Sequence, residues 1–355
     1  KLRDQNIKLI DTFNTFISFP FDNDNKYNNF DFINSRFYNH LKSDFFNNDQ
    51  DEFNHFLDHI ADIIQDPATI KGTSHLFYSK QGTGKGMLLY FMERLLGVNN
   101  TLTVLNVDNY FDSNFNSQNT NKLLKVFEEV SEKGNAYKNH NRLKAEITSK
   151  IERIEPKGID AYNNRHCARY WFFSNNENCL FVEADDRRNT LHKVSSAHAN
   201  NYEYFKPIWQ DIDNDDFMHS SFLFFKNRKY EYKNVINSYL TDYKRDQKLA
   251  NINSVYKFSL DFIQNNFNKL VNEDYFISVD DLKNKYNLYC QDNNIKSNVS
   301  TLNKYLEKIN IIKKQKSINS RKKYYYIFNI FNINNKFIEM FKDAEFKLKF
   351  NDNEF

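Results

Sequence analysis

A lysine behind two closely spaced glycines is the feature of the sequence that most directly indicates chemistry. The segment Gln81, Gly82, Thr83, Gly84, Lys85 and Gly86 lies between a short apolar stretch and an amphipathic one. Glycines let the backbone turn so that several N–H groups point inward, the following helix N-terminus adds positive potential, and a lysine reaches terminal phosphates. These residues therefore predict a nucleotide-binding loop between a strand and a helix. An ordinary surface turn is the alternative interpretation.

Two positions depart from the usual pattern of such a loop. Ser79 stands where the first glycine is expected, and Gly86 stands where a serine or threonine usually follows the lysine. That hydroxyl is normally a magnesium ligand, so a bound magnesium ion loses one expected contact.

An apolar run that begins at Leu123 ends in two carboxylates, Glu128 and Glu129. A nucleotide hydrolase needs such a pair at the end of a strand beside its phosphate loop. One acid would help to hold Mg²⁺, and the other would orient and deprotonate the attacking water. An amphipathic helix with exposed glutamates is the alternative interpretation.

Three later groups complete the predicted site. Lys157 lies at the tip of a predicted β-hairpin, between Pro156 and Gly158. Asn175 follows an apolar strand, where its amide could position water against a phosphate. Arg187 and Arg188 are candidates for neutralising charge on a transferred phosphoryl group, although exposed arginine pairs are common.

The elements that must position these residues differ along the chain. Residues 1–70 show helical spacing and predict a helical collar, which includes His55 and His59, a pair at metal-ligand spacing that lacks a third ligand. Residues 71–245 alternate strands and helices. Residues 246–355 predict three helices, the second of them capped by Ser278, and a basic two-stranded ribbon. This arrangement resembles a winged helix that contacts DNA, and a wing that docks a protein or stabilises the collar is the alternative interpretation. The basic residues of the ribbon are Lys313, Lys314, Lys316, Arg321, Lys322 and Lys323.

Composition limits the class of protein only broadly. Lys and Arg number 49 against 46 acidic residues, so a nucleic-acid surface must be local. The 35 Phe and 22 Tyr, with many Asn and Lys, are typical of an AT-rich genome and are not functional evidence. Three widely spaced cysteines predict a reducing, intracellular environment without disulfides, and no apolar run predicts a membrane span.

The order of the motifs closely resembles the ATPase core of superfamily 3 helicases, especially the poxvirus-type and phage-type primase-helicases. The segments that carry the resemblance are "LKAEITSKIERIEPKGID", "WFFSNN" and "ADDRRNTLHKVS", together with the glycine loop, over roughly residues 72–225. The resemblance implies an α/β fold of the P-loop NTPase class, with an AAA+-like core. It also implies that Lys85 binds phosphates, that Asn175 senses them, and that Glu128 and Glu129 form the metal-binding and water-activating pair. By the same resemblance, Lys157 touches single-stranded DNA and Arg187 or Arg188 enters a neighbouring subunit's site.

The leading functional prediction is an ATP-dependent DNA helicase of a viral or mobile-element replication machinery, with ATP and Mg²⁺ as cofactors. Its expected partners are single-stranded or forked DNA, further copies in a hexameric ring, and a primase segment before Lys1, without a membrane. A viral source would place it in the host cytoplasm or nucleus. The alternatives are a nucleotide-gated DNA-binding oligomer with weak hydrolysis and a P-loop phosphotransferase acting on a small molecule.

Overall fold

The computed structural model divides the chain into two compact units. It describes residues 16, 18–22, 27–113, 115–128, 135–177, 182–270, 273–318, 321–343, 346, 349–350 and 353–354. The first unit comprises residues 1–181 and 187–244, and the second comprises residues 182–186 and 245–355. The predicted division at residues 70 and 245 into collar, ATPase and DNA-binding domains stays a prediction.

The first unit is built around a parallel sheet. Its strands are β1 (Ser74–Tyr78), β2 (Thr101–Val104), β3 (Leu124–Phe127), β4 (Ile151–Ile154), β5 (Tyr162–Arg165), β6 (Arg169–Ser174) and β7 (Asn189–Lys193). Five of them form the sheet in the order β2-β3-β6-β1-β7, and all neighbours are parallel. The strands β4 and β5 form a separate antiparallel hairpin. The predicted α/β class is confirmed, and the structure shows that the sheet is parallel.

Helices connect and cover these strands, because parallel neighbours require crossover connections. They are α1 (Arg36–His40), α2 (Gln50–Gln65), α3 (Lys85–Leu96), α4 (Val107–Asp112), α5 (Asn135–Thr148), α6 (Tyr202–Asp213), α7 (Asp215–Asn227) and α8 (Tyr232–Ile236). The next helix, α9 (Asp242–Asn251), begins at the end of the first unit and continues into the second. A π-helical turn at Leu41–Phe45 follows α1, and 3-10 turns lie at Val98–Asn100 and Ser117–Asn119.

The described part of the N-terminal segment shares the core of the sheet. The Asp49 carboxylate caps α2 by accepting the backbone N–H groups of Asp51 and Glu52. The apolar side of α2, with Phe56 and Ile60 fully buried, lies in one continuous core with the strands and with α3 and α7. The predicted helical positions within residues 1–15 lie outside the described residues.

The second unit combines helices with a small antiparallel sheet. Its helices are α10 (Ser254–Asn265), α11 (Phe267–Leu270), α12 (Val279–Asp292), α13 (Val299–Lys308) and α14 (Ile330–Phe341). Its main strands are β8 (Tyr275–Ser278), β9 (Ile312–Ile318) and β10 (Arg321–Phe328), in the order β8-β10-β9. Two-residue strands β11 (Lys349–Phe350) and β12 (Asn353–Glu354) pair near the end. The Ser278 hydroxyl caps α12 by accepting from the Asp281 N–H, as the sequence predicts.

Several elements escaped the sequence analysis. The strand β8 and the helix α14 were not expected, and neither was α4 in the polar stretch after β2. No helix in the described ranges has the length and apolarity needed to cross a membrane.

Candidate functional site at the carboxyl edge of the sheet

The glycine loop has a conformation that only glycine adopts without strain. Gly82 has φ +77° and Gly84 has φ +97°, and the loop leads directly into α3, which begins at Lys85. The Ser79 and Thr83 hydroxyls lie 2.6 Å apart and close the loop from inside. Ser79, the predicted departure from the glycine pattern, therefore contributes a loop contact.

The Lys85 ammonium lies within this loop and reaches across the sheet. It donates to the Ser79 hydroxyl, to the Lys80 carbonyl oxygen at 3.3 Å, and to the Asn175 side-chain oxygen at 2.8 Å. Asn175 directly follows β6, the neighbour of β1. Two groups separated by 90 residues in sequence, and predicted independently, thus meet at one point.

Glu128 lies at the same edge of the sheet. It directly follows β3, and its backbone N–H donates to the Val104 carbonyl oxygen at 2.9 Å. Because β1, β3 and β6 are parallel and in register, their carboxyl ends bring Lys85, Glu128 and Asn175 to one edge. Glu129, the predicted water-activating acid, lies outside the described residues.

The glycine loop packs against residues that were not predicted from the sequence. Asn200 donates its backbone N–H to the Gly82 carbonyl oxygen at 3.0 Å, and a Cβ on Gly82 would meet the Asn200 side-chain oxygen at 2.0 Å. A Cβ on Gly84 would meet His40 Nε2 at 2.9 Å. Larger residues at these two positions would therefore displace the loop.

A buried polar cluster holds His40 in place beneath the loop. His40 Nδ1 lies 3.0 Å from the Tyr204 hydroxyl, and the Asp44 carboxylate contacts His40 at 3.4 Å and His198 at 2.8 Å. Burial acts to raise the pKa of Asp44, but hydrogen bonds from His40, Ser43 and His198 outweigh it and hold this pKa far below its ordinary value. Burial beside Asp44 raises the pKa of Tyr204 to about 12.

A second buried cluster links the sheet to the β4–β5 hairpin. Lys125 of β3 is fully buried, and its ammonium lies 2.5 Å from the Glu152 carboxylate of β4 and 3.9 Å from that of Glu146 in α5. Burial raises the pKa of Glu152, and Lys125 opposes that shift. The hairpin that carries Lys157 is thus joined by a buried ion pair to β3, the strand that Glu128 follows.

The metal-ligand arrangements in the described residues do not favour a resident metal. Glu146, Glu152 and His166 are the one described group of three acidic or imidazole ligands close enough to bind one ion, but the Lys125 ammonium already pairs with Glu152 at 2.5 Å. His55 and His59, the predicted weak pair, are buried in the core and belong to no such described group.

Arg187 and Arg188 lie at the opposite edge of the sheet from Lys85. They precede β7, which is parallel to β1, and the Arg188 carbonyl oxygen accepts from the Ser74 N–H at the start of β1. Arg187 is exposed and Arg188 is half-buried. The structure therefore does not bring either arginine to the Lys85 site of the same chain.

The predicted basic ribbon is the pair β9 and β10 of the second unit. The described side chains of Lys313, Lys314, Lys316, Lys322 and Lys323 are all exposed. The side chain of Arg321 lies outside the described residues.

Part of the chain matches a known protein family, and most of it is similar to solved structures. Residues 77–188, from β1 to Arg188, match a family of unknown function, DUF5906. No curated protein matches the chain in sequence. The apo structure of the NrS-1 C terminal region (305-718) is similar with a TM-score of 0.62 at 17% identity, over 84% of this chain and 79% of that chain. The A form apo structure of that region gives a TM-score of 0.61 at 17% identity, with the same coverage.

The likeness to the NrS-1 C terminal region extends over both units and shows a shared fold. At 17% identity the likeness supports no inference about the activity of this chain. The resemblance to superfamily 3 helicases therefore stays a prediction from the motifs.

Proposed function

We propose that this protein is an ATP-driven DNA helicase that acts in replication as a ring on single-stranded or forked DNA. The observation that carries the proposal is the 2.8 Å contact between the Lys85 ammonium and the Asn175 amide oxygen, within a glycine loop and at the edge that also bears Glu128. The terminal phosphates of a nucleotide are suited to this sheet edge, which has a positive charge, an inward-turning backbone and an amide that can position water.

Each residue at this edge has one role in the proposed mechanism. The backbone of residues 81–86 surrounds the phosphates, and Lys85 exchanges its contact with Asn175 for phosphate oxygens. Asn175 is then released to orient the attacking water. Bound Mg²⁺ supplies charge neutralisation, and Glu128 is the described carboxylate that would hold it. Gly86 contributes no hydroxyl, so Glu128 would be the side chain of this site that holds the ion.

The arginines and the hairpin extend the mechanism beyond one chain. Because Arg187 and Arg188 lie at the opposite edge of the sheet, they support the phosphates of an adjacent subunit rather than of their own. Lys157 contacts the DNA backbone from the hairpin tip. The buried pair of Lys125 and Glu152 transmits movement of β3 to the hairpin.

The test is ATP hydrolysis by the purified chain with and without single-stranded DNA, in parallel with Lys85→Ala and Asn175→Ala. We expect DNA to stimulate turnover, Lys85→Ala to abolish it, and Asn175→Ala to lower it roughly a hundredfold. Lys80→Ala is the matched control, because this neighbouring lysine is exposed and contributes its backbone carbonyl rather than its side chain. Full turnover in Lys85→Ala would end the proposal.

A nucleotide-gated DNA-binding oligomer is the second candidate, and Gly86 favours it. With one magnesium ligand fewer, the site could bind ATP tightly and hydrolyse it slowly. Equilibrium nucleotide binding, single-turnover hydrolysis and strand separation distinguish the candidates. Tight binding with neither turnover nor unwinding supports the second.

A further inference from the structure

The two faces of the small sheet in the second unit have different surfaces. Residues directly opposite each other in an antiparallel pair share a face. Tyr326, Phe328 and Ile277 are buried against the helices, so the residues that alternate with them form the other face. We call it the outer face, and its described side chains are Phe276, Ser278, Ile312, Lys314, Lys316, Lys323, Tyr325 and Ile327.

The outer face carries positive charge without compensation. Lys316 and Lys323 are directly opposite each other, an arrangement that destabilises an isolated sheet. Lys314 is one step further along the same face. Among the described residues none of the three forms an ion pair, and no position of the outer face carries a carboxylate. A polyanion is the partner that would turn this repulsion into binding.

The same face also exposes apolar and aromatic side chains. Phe276 is 46% exposed, Ile312 is 48% exposed, and Tyr325 is half-buried between them and the lysines. The Lys316 ammonium lies 4.9 Å from the centre of the Phe276 ring, so charge and ring lie side by side although they come from the two edge strands. Rings next to lysines suit unstacked bases joined by phosphates.

We propose that the outer face binds a single-stranded nucleic acid, with bases on Phe276 and Tyr325 and phosphates on Lys314, Lys316 and Lys323. A duplex presents phosphates but keeps its bases stacked, and so leaves the exposed rings without a partner. The proposal refines the nucleic-acid partner of the proposed function, but it requires neither nucleotide nor hydrolysis.

The chain supplies matched controls on the other face of the same strands. Lys313, Lys322 and Tyr324 are exposed there, and the Lys313 ammonium lies 4.8 Å from the centre of the Tyr324 ring. These residues have the same chemistry, the same strands and the same net charge change when they are replaced. Only the face differs.

The experiment measures binding of a labelled oligothymidylate to the full chain without nucleotide, in a Lys85→Ala background. We expect Phe276→Ala and Tyr325→Ala each to weaken binding roughly tenfold. Replacing Lys314 and Lys316 by Ala should weaken binding further and lower the slope of log affinity against log salt by about 1.4. The proposal restricts the predicted DNA contacts of the ribbon to the outer-face lysines. The single variant Tyr324→Ala, and the double variant of Lys313 and Lys322 to Ala, should therefore each change binding less than about twofold.

The outcomes separate this proposal from its competitors. Equal losses from both faces, or equal binding of a matched duplex, would show an ordinary basic wing and overturn the proposal. No loss from any outer-face variant would also overturn it, whatever the ATPase assays show. Because the Lys85→Ala background lacks the proposed motor activity, failure of the motor leaves this result unaffected.

Discussion

The carboxyl edge of the parallel sheet and the outer face of the small sheet are built in opposite ways. At the edge, the Lys85 ammonium contacts the Asn175 amide oxygen and the Gly82 carbonyl oxygen accepts from the Asn200 N–H, while within β3 the buried Lys125 ammonium pairs with Glu152. On the outer face the lysines are exposed and repel one another.

This difference predicts two kinds of response. A preorganised site loses function when one atom is misplaced, because its groups must meet the reacting phosphate at fixed distances. An exposed charged face loses affinity in graded steps that depend on salt. The following predictions test how far this contrast holds, from the largest expected effect to the smallest.

Replacing both Arg187 and Arg188 by Ala tests whether the edge site is complete within one chain. We expect nucleotide binding to remain and turnover to fall by roughly a thousandfold, because a neighbour's arginine would stabilise transition-state charge. Mixing this variant with Lys85→Ala should restore part of the activity, since each variant supplies what the other lacks. Unchanged hydrolysis by the double arginine variant would show that the edge needs no second subunit.

Lys125→Met tests how much the edge depends on buried charge. Removing the ammonium leaves Glu152 and Glu146 without their counter-ion, so we expect a loss of roughly 3 to 5 kcal/mol in the free energy of unfolding. The exposed Lys150→Met is the control, and denaturant titration measures both. A loss below about 1 kcal/mol in the free energy of unfolding would show that this cluster contributes no more than an ordinary surface ion pair.

Acid distinguishes the two units, because all nine histidines lie in the first. Burial lowers the pKa of His55 to about 4 and holds those of His59 and His75 well below their ordinary value. Between pH 6.5 and pH 4 these three histidines are therefore protonated in the unfolded chain but remain neutral in the folded chain. Stability is full above pH 6.5 and should fall by on the order of 3 kcal/mol towards pH 5.5.

Fluorescence can follow the first unit alone, since Trp171 and Trp209 both lie there. Thermal melts at pH 7.5 and pH 5.5 should differ by several degrees. Hydrogen exchange in the second unit, corrected for the intrinsic rate, is the internal control and should not change. Equal acid sensitivity of both units would contradict the assignment to the histidines.

Gly86→Thr gives the smallest expected effect. A Cβ at Gly86 meets no atom within 4 Å, so the hydroxyl that the loop lacks can be added without displacing a neighbour. We expect magnesium-dependent turnover to rise, by up to about tenfold. Gly86→Ala is the matched control, because it adds the Cβ without the hydroxyl and should leave turnover near the original level.

Local sequence patterns predicted many elements because short-range effects determine them. The run before the glycine loop gave β1, the apolar run before Glu128 gave β3, and Ser278 gave the start of α12. The strand β8 was missed because four residues, only one of them buried, have too little periodicity to distinguish them from a loop. The helix α4 was missed because six residues are too few to show a helical period.

Residues of the candidate site could be predicted from the sequence only where a functional side chain directly follows a strand or a pair of glycines. Lys85, Glu128 and Asn175 have that signal. His40 and Asn200 do not, since they support the loop only through contacts made after folding. Lys125 resembles any lysine in an amphipathic run, and its burial depends on Glu152 of the hairpin.

The sequence by itself determined many of the segments that become strands and helices, the residue types at their ends, and the segregation of histidines to one unit and of a basic ribbon to the other. Those properties depend on neighbours in the chain. Only the tertiary structure decided that Lys85 meets Asn175, that the arginines lie at the opposite edge, and that the ribbon lysines divide between two faces. Strand order and register fix these relations, because they arise from contacts between residues that are distant in sequence.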